Sequence, residues 1–113
     1  MKREEARKLA KELVGKMTLE EKASQLRYDA PAIPRLGVPA YNWWNEALHG
    51  VARAGTATMF PQAIGMAAMF DEPLMKEIGD VISTEARAKF NMQAAHEDRD
   101  IYKGSTMWSP NIN

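Results

Sequence analysis

The chain has 113 residues, of which 45% are hydrophobic and 27% charged, a balance typical of one small globular domain rather than of a disordered chain. Its 15 lysines and arginines balance its 15 acidic residues, so the formal net charge is zero, which argues against nucleic acid or an anionic membrane as the main partner. The absence of cysteine excludes disulfides and thiolate metal sites and fits a reducing compartment.

The first residues are charged and are not followed by an apolar stretch, so they do not resemble a secretory signal. No run of apolar residues is long enough to span a membrane. We therefore expect a cytoplasmic protein. A net charge of zero also leaves little repulsion against self-association.

Two helices are predicted at the N-terminus, within residues 1–27. Residues 2–17 carry apolar side chains at helical spacing on one face, namely Ala6, Leu9, Ala10, Leu13, Val14 and Met17. Thr18 and Glu21 then have the spacing of a capping box, in which each side chain bonds the backbone amide of the other. A second helix should follow to about residue 26, with an inner face formed by Leu19, Ala23 and Leu26.

A loop over residues 29–39 holds three of the six prolines and leads into a predicted strand over residues 40–45 that ends in a functional loop. Residues 39–50 contain three aromatic rings, two asparagines, one carboxylate and one imidazole, and neither helical nor strand periodicity explains them. Flat aromatic faces beside hydrogen-bonding side chains suit a sugar, because a pyranose has apolar C–H faces and a rim of hydroxyls. The alternative is a core strand running into a helix, with Glu46 in a structural hydrogen bond, and composition alone slightly favours that alternative.

Further elements are expected downstream. Residues 56–60 should form a short strand, and residues 62–69 are small and apolar, so they should be buried as either helix or strand. Asp71 is the expected N-cap of the longest helix, which should end near residue 91. Residues 105–113 are predicted as another strand. The buried stripe of the long helix should be Leu74, Ile78, Val81, Ile82, Ala86 and Phe90.

The polar segment over residues 93–104 contains the run His96-Glu-Asp-Arg-Asp100. A metal site is one interpretation of this run. However, the chain has only two histidines, and consecutive charged residues usually form a solvated loop. We therefore favour the loop and expect neither a metal nor an organic cofactor.

The order of elements is a helix pair, a strand, short segments, a helix and a strand, which is typical of a parallel α/β sheet. A (β/α)₈ barrel needs roughly 250 residues. Two or three strands can neither close such a barrel nor cover a doubly wound sheet, so we expect this chain to be the start of something larger.

Five motifs stand out along the chain, namely Met17-Thr-Leu-Glu-Glu-Lys22, Ile33-Pro-Arg-Leu-Gly-Val-Pro39, Tyr41-Asn-Trp-Trp-Asn-Glu-Ala-Leu-His-Gly50, Phe60-Pro-Gln-Ala-Ile-Gly65 and Trp108-Ser-Pro-Asn-Ile-Asn113. They occur in the same order as in glycoside hydrolase family 3, and the chain resembles that family over essentially its whole length. The third motif is the most specific. The chain is most similar to the β-xylosidase and β-glucosidase branch of the family, and the tryptophan pair with Glu in place of Asp favours a xylosidase.

The resemblance implies a TIM-like (β/α)₈ barrel domain followed by an α/β sandwich. Residues 1–113 would be a single incomplete domain, with the N-terminal helix pair in residues 1–27 and the first barrel strands and helix in residues 33–113. The implied active site removes a sugar from the non-reducing end of a β-linked glycoside with retention of configuration. Glu46 matches the family's carboxylate that accepts hydrogen bonds from hydroxyls of that sugar, which suits orientation rather than chemistry. Trp43 and Trp44 would wall or support the subsite. His49 would be a structural hydrogen-bonding residue first and a substrate-binding residue second.

Retention also needs two catalytic carboxyl groups. In the family, a sugar-binding arginine, a Lys-His pair and the Asp nucleophile all follow the position of Asn113, so no catalytic residue is expected in this chain. The first hypothesis is therefore one piece of a glycosidase, acting on xylo- or gluco-oligosaccharides together with a complementary chain. The alternatives are a non-catalytic carbohydrate-binding module and a purely structural barrel fragment that self-associates.

Overall fold

In a computed structural model, residues 1–110 are described, and they form two compact units that divide between Tyr41 and Asn42. The first unit begins with helix α1 over Arg3–Gly15 and helix α2 over Leu19–Ser24. Strand β1, Asp29–Ala30, pairs with strand β2, Tyr41–Asn42, and a short 3₁₀ turn over Pro34–Leu36 lies between them. The two predicted N-terminal helices are confirmed.

The capping box at the start of α2 is also confirmed. The Thr18 amide donates to Glu21 Oε2 at 2.8 Å, and the Glu21 amide donates to Thr18 Oγ1 at 3.2 Å. Arg35 adds a second partner, because its guanidinium bonds both oxygens of Glu21 and also donates to the Lys16 carbonyl at 3.0 Å. The Arg35 hydrogen bonds hold the pKa of Glu21 below its usual value. One carboxylate therefore ties the 3₁₀ turn to the start of α2.

The predicted inner face of α2 is wrong for this chain. Leu19 is 77% exposed, Leu26 is 82% exposed and Ala23 is also exposed. The apolar stripe of α1 is likewise mostly exposed. Helical spacing predicts which residues share a face, but only a partner that packs against the face can bury it.

The second unit contains helix α3 over Ala63–Ala67 and helix α4 over Glu72–Ala95. As predicted, Asp71 caps α4, since its Oδ1 accepts from the Leu74 amide at 2.9 Å. The helix continues four residues beyond the expected end, because residues 92–95 are Met, Gln, Ala and Ala, all of which favour helix. Of the predicted stripe, Ile78 and Ala86 are buried, whereas Leu74 and Val81 are substantially exposed.

For residues 62–69 the sequence pattern allows helix or strand, and the structure forms helix over Ala63–Ala67, which is α3. Their expected burial is wrong, since Met66 is buried but Ile64 is 80% exposed. The predicted strands are also mostly wrong. Residues 56–60 and 105–110 are irregular, and in the segment 40–45 only Tyr41–Asn42 is strand. Residues 111–113 of the last predicted strand lie outside the described residues.

Side chains explain these irregular segments. The Thr58 amide donates to Glu85, and the Thr106 carbonyl accepts from the Asn45 carboxamide, so side-chain groups satisfy backbone groups that a neighbouring strand would otherwise bond. Residues 1–110 therefore combine helices with one two-stranded sheet. The barrel remains a prediction, as does the assignment of residues 1–113 to a single domain.

Replacing Thr18 by Ala should destabilise the first unit, because the Glu21 amide loses its acceptor. We expect the free energy of unfolding to fall by about 1 kcal/mol in urea titrations followed by circular dichroism. Thr84→Ala, within α4, is the matched control and should be neutral or slightly stabilising. Equal effects of the two substitutions would contradict a capping role for Thr18.

Candidate functional site

The site residues lie in an irregular segment that is organised by Asn45. This side chain is only 3% exposed, and its amide group donates to the carbonyls of Asn42 at 3.3 Å and Thr106 at 3.0 Å. Its Oδ1 accepts from the Gly104 amide at 2.8 Å, and its own carbonyl accepts from the Trp108 amide at 2.9 Å. The carboxamide thus joins two segments far apart in sequence and fixes the residues on either side of Asn45.

The tryptophans form a cluster of three. The rings of Trp43 and Trp108 are 5.4 Å apart and inclined by 9°, and those of Trp44 and Trp108 are 5.5 Å apart and inclined by 27°. The indole nitrogen of Trp108 donates to the Trp43 carbonyl at 3.1 Å. Trp44 is 45% exposed and Trp108 is 53% exposed, so the cluster presents aromatic surface to solvent.

Sequence reasoning missed Trp108 as a site residue and expected it in the middle of a strand. It lies 65 positions from Trp43 in the sequence, and no local pattern links the two. Only the tertiary contacts of Asn45 bring Trp108 to the pair.

Glu46 lies at one wall of a cavity of about 400 Å³, which is lined by Glu46, Leu48, His49 and loop residues 50–52 and 55–59. Its carbonyl accepts from the Ala52 amide at 3.0 Å, which closes the loop between them. Its carboxylate, with the side chain 42% exposed, lies 3.7 Å from the Arg53 guanidinium. The side chain is therefore accessible and is not buried in a core strand.

His49 lines the same cavity and is fastened to Phe60 at two points. Its Nδ1 is 2.9 Å from the Phe60 carbonyl, and its own carbonyl accepts from the Phe60 amide at 2.8 Å. Because a carbonyl only accepts, Nδ1 must carry the proton in this contact. This is the structural hydrogen bond expected of His49, and substrate binding by its other nitrogen remains a prediction.

The structure thus brings Glu46 and His49 to one cavity and places Trp43 and Trp44 in the cluster with Trp108. Neither Trp43 nor Trp44 lines the cavity beside Glu46. Within residues 1–110, no three His, Asp or Glu side chains lie close enough together to hold a metal ion. No helix of this described part is long and apolar enough to cross a membrane.

The cavity wall is shaped by the close approach of Gly50 to Thr58 and by hydrogen bonds from the loop to α4. Gly50 has a φ of +126°, and a Cβ atom there would lie 2.2 Å from the Thr58 carbonyl oxygen, so the two loop segments approach as closely as glycine allows. On the other side, α4 holds the loop. Glu85 accepts from the Thr58 amide at 3.0 Å and from its hydroxyl at 2.6 Å, and the Lys89 ammonium donates to the Ala54 carbonyl at 2.9 Å.

Comparison with known proteins identifies the family. Residues 1–94 match the glycosyl hydrolase family 3 N-terminal domain. The chain belongs to glycosyl hydrolase family 3. The family resemblance inferred from the five motifs is therefore confirmed.

Relatives in this family carry xylosidase names. The chain is 49% identical over 115 residues to a probable exo-1,4-β-xylosidase of Aspergillus flavus, and the match covers 92% of the chain and 14% of the relative. It is 49% identical over 116 residues to a probable β-D-xylosidase of Arabidopsis thaliana, and this match covers 94% of the chain and 14% of the relative. A xylan 1,4-β-xylosidase of Xylanibacter ruminicola is 42% identical over 110 residues, and this match covers 96% of the chain and 13% of the relative. The chain therefore spans about one seventh of these relatives.

Replacing Gly50 by Ala should destabilise the second unit of this family 3 chain. The new Cβ atom would meet the Thr58 carbonyl, and the residue would have to keep a positive φ. We expect the free energy of unfolding to fall by at least about 2 kcal/mol. Gly79→Ala is the control, because a Cβ there meets nothing within 4 Å and α4 should gain about 0.5–1 kcal/mol. A Gly50 variant as stable as the wild type in urea unfolding would contradict the close approach.

The Glu85 clamp should weaken in acid. The hydrogen bonds from the Thr58 hydroxyl and amide lower the pKa of Glu85 below its usual 4.5. The unfolded chain then takes up this proton more readily than the folded chain, so the stabilisation is present above pH 4.5 and is lost as the pH falls through the lowered pKa.

Urea unfolding of wild type and Glu85→Gln over a pH series tests this. Other carboxylates titrate in both proteins, so the difference between the two isolates Glu85. The variant should be less stable than the wild type near neutral pH, and the gap should close in acid. A gap that does not change with pH would contradict the clamp.

Proposed function

We propose that this chain is part of an exo-acting, retaining β-glycosidase that releases xylose from the non-reducing end of β-linked xylo-oligosaccharides. The observation that carries the proposal is the accessible Glu46 carboxylate at the wall of a cavity of about 400 Å³, two residues after the exposed Trp44, in a chain whose relatives are named xylosidases. Xylose is favoured over glucose by those names. We also propose that the protein is cytoplasmic.

The role proposed for Glu46 is orientation of the sugar. An ionised carboxylate has only acceptor sites and can bind two neighbouring hydroxyls at once. Trp44 does not line this cavity, and its exposed indole would support the subsite from outside the cavity wall as an apolar surface. His49 supports the cavity through Phe60, and Trp43 supports Trp44 through the shared contact with Trp108.

The chemistry itself is assigned to residues outside this chain. A retaining glycosidase uses one carboxylate as nucleophile and a second as acid and base, about 5–5.5 Å apart. We assign neither role to a residue of this chain and propose that residues 1–113 supply part of a (β/α)₈ barrel and one wall of the sugar subsite. A complementary polypeptide would provide the catalytic pair.

A second candidate, a non-catalytic fragment that self-associates, is favoured by the exposed apolar side chains of the second unit. Met59 is 81% exposed, Ile64 is 80% exposed and Phe70 is 95% exposed. Surface of this kind commonly marks an interface. Size-exclusion chromatography with light scattering distinguishes the candidates, because a self-associating fragment keeps its oligomeric state when the complementary polypeptide is added.

The decisive experiment is hydrolysis of chromogenic β-xyloside and β-glucoside by this chain, alone and mixed with a polypeptide carrying the rest of a family 3 enzyme. We expect activity only in the mixture, with xyloside preferred. In the mixture, Glu46→Gln should lower kcat/KM about 10- to 100-fold, because hydrogen bonds to a charged acceptor are lost. Glu77→Gln, an exposed carboxylate on α4, is the matched control.

Activity of the 113-residue chain alone would overturn the assignment of the catalytic residues to another polypeptide. Wild-type kinetics in Glu46→Gln would overturn the proposed role of Glu46. The absence of activity in every mixture, together with a stable oligomer of this chain, would favour the non-catalytic candidate.

A further inference from the structure

Arg53 forms an ion pair with Glu46 in the second unit, and its guanidinium has neighbours on two sides. Its Nε lies 3.7 Å from Glu46 Oε1, and its Cζ lies 5.4 Å from the centre of the Tyr102 ring. The guanidinium therefore contacts the carboxylate on one side and an aromatic face on the other. An arginine can do both at once because its charge is planar and delocalised.

The backbone at both supporting residues is unusual. Arg53 has a φ of +58° and Tyr102 has a φ of +67°, a region that residues other than glycine adopt rarely. Backbone hydrogen bonds to the Trp44–Glu46 segment fix both residues, for Tyr102 through its own amide and for Arg53 through the amide of the preceding residue. The Tyr102 amide donates to the Trp44 carbonyl at 3.2 Å, and the Ala52 amide, which precedes Arg53, donates to the Glu46 carbonyl at 3.0 Å. Both residues of the Arg53–Tyr102 contact are thus held in an unfavourable backbone conformation, and Arg53 lies beside Glu46.

The distance between Arg53 and Glu46 is informative. At 3.7 Å the contact is an ion pair rather than a direct hydrogen bond. The carboxylate is therefore oriented by charge without spending its acceptor sites on the guanidinium. A ligand with two neighbouring hydroxyls could still use those sites.

We propose that Arg53, stacked on Tyr102, is a positioning residue that orients the Glu46 carboxylate for the sugar hydroxyls. This inference rests on the proposed function of Glu46 as the sugar acceptor. Arg53 acts through Glu46 and does not need to contact the sugar. Tyr102 acts one step further back, because its ring keeps the guanidinium in place.

A ligand-free experiment on the 113-residue chain tests the arrangement first. The Nε–Hε signal of Arg53 in NMR spectra should shift in Glu46→Gln, which removes the charge, and in Tyr102→Leu, which removes the ring. Tyr102→Phe keeps the aromatic face and should leave the signal close to its wild-type position. The signal of Arg7, in α1, is the internal reference. An Arg53 signal that is the same in Glu46→Gln and Tyr102→Leu as in the wild type would overturn the inference.

A binding experiment then tests the consequence. Methyl β-D-xylopyranoside is titrated into the chain while the indole N–H signals are followed. Arg53→Met should weaken binding about two- to fivefold, the range expected for a partly exposed ion pair, and Arg53→Lys should restore part of the loss. Methionine keeps an unbranched apolar stem like that of arginine and the same backbone requirement, so Arg53→Met removes the guanidinium, and the part that Arg53→Lys restores reports the charge.

The double variant separates positioning from a merely structural role. If Arg53 acts through Glu46, Arg53→Met should have no further effect on affinity in the Glu46→Gln background. A loss of the same size in both backgrounds would mean that Arg53 only supports the loop, and it would overturn the inference while leaving the proposed function intact. Xyloside binding that Glu46→Gln does not weaken would instead overturn the proposed role of Glu46, whatever the ligand-free spectra show.

Discussion

The site depends on the buried carboxamide of Asn45 more than on any other interaction. Its oxygen and nitrogen bond backbone groups of residues 42, 104 and 106, so one short side chain joins segments that are about 60 residues apart. Buried polar groups of this kind stabilise a structure only when all of them are satisfied, and no buried side-chain nitrogen or oxygen within residues 1–110 lacks a partner. Because Asn45 lies between Trp44 and Glu46, its bonds position the indole on one side and the carboxylate on the other.

A second constraint is conformational. Gly50, Arg53 and Tyr102 all have positive φ angles, and all three lie close to Glu46 or support a residue that does. Residues held in such conformations tend to cluster at functional sites, where the surrounding structure compensates for their cost. Here the compensation comes from backbone hydrogen bonds, from the close approach of Gly50 to Thr58, and from the clamp of Glu85 and Lys89 on the loop that forms the cavity wall.

These features explain why a chain with few buried side chains still presents a defined cavity. The buried hydrophobic residues are small apart from Ile33, Met66 and Ile78, so packing alone does not define the site. Hydrogen bonds between the backbone and the side chains of Asn45, Glu85 and Lys89 define the site instead.

Local chemistry allowed the sequence to predict the helices and their caps. Thr18 with Glu21, and Asp71 with the amide three residues later, are short-range contacts whose residue types and spacing are visible in the chain itself. The same is true of the motif at residues 41–50, whose content pointed to the family. The sequence could not predict which apolar faces are buried, because burial depends on partners that periodicity does not reveal. It also overpredicted strands, since Thr58 and Thr106 bond side chains where a strand would need a neighbouring strand. Only the tertiary structure decided that Trp108 joins the tryptophan pair, that Arg53 lies beside Glu46 and that Tyr102 lies beside Arg53. These residues are brought together by contacts between segments that are separated in the sequence, and such contacts leave no local pattern.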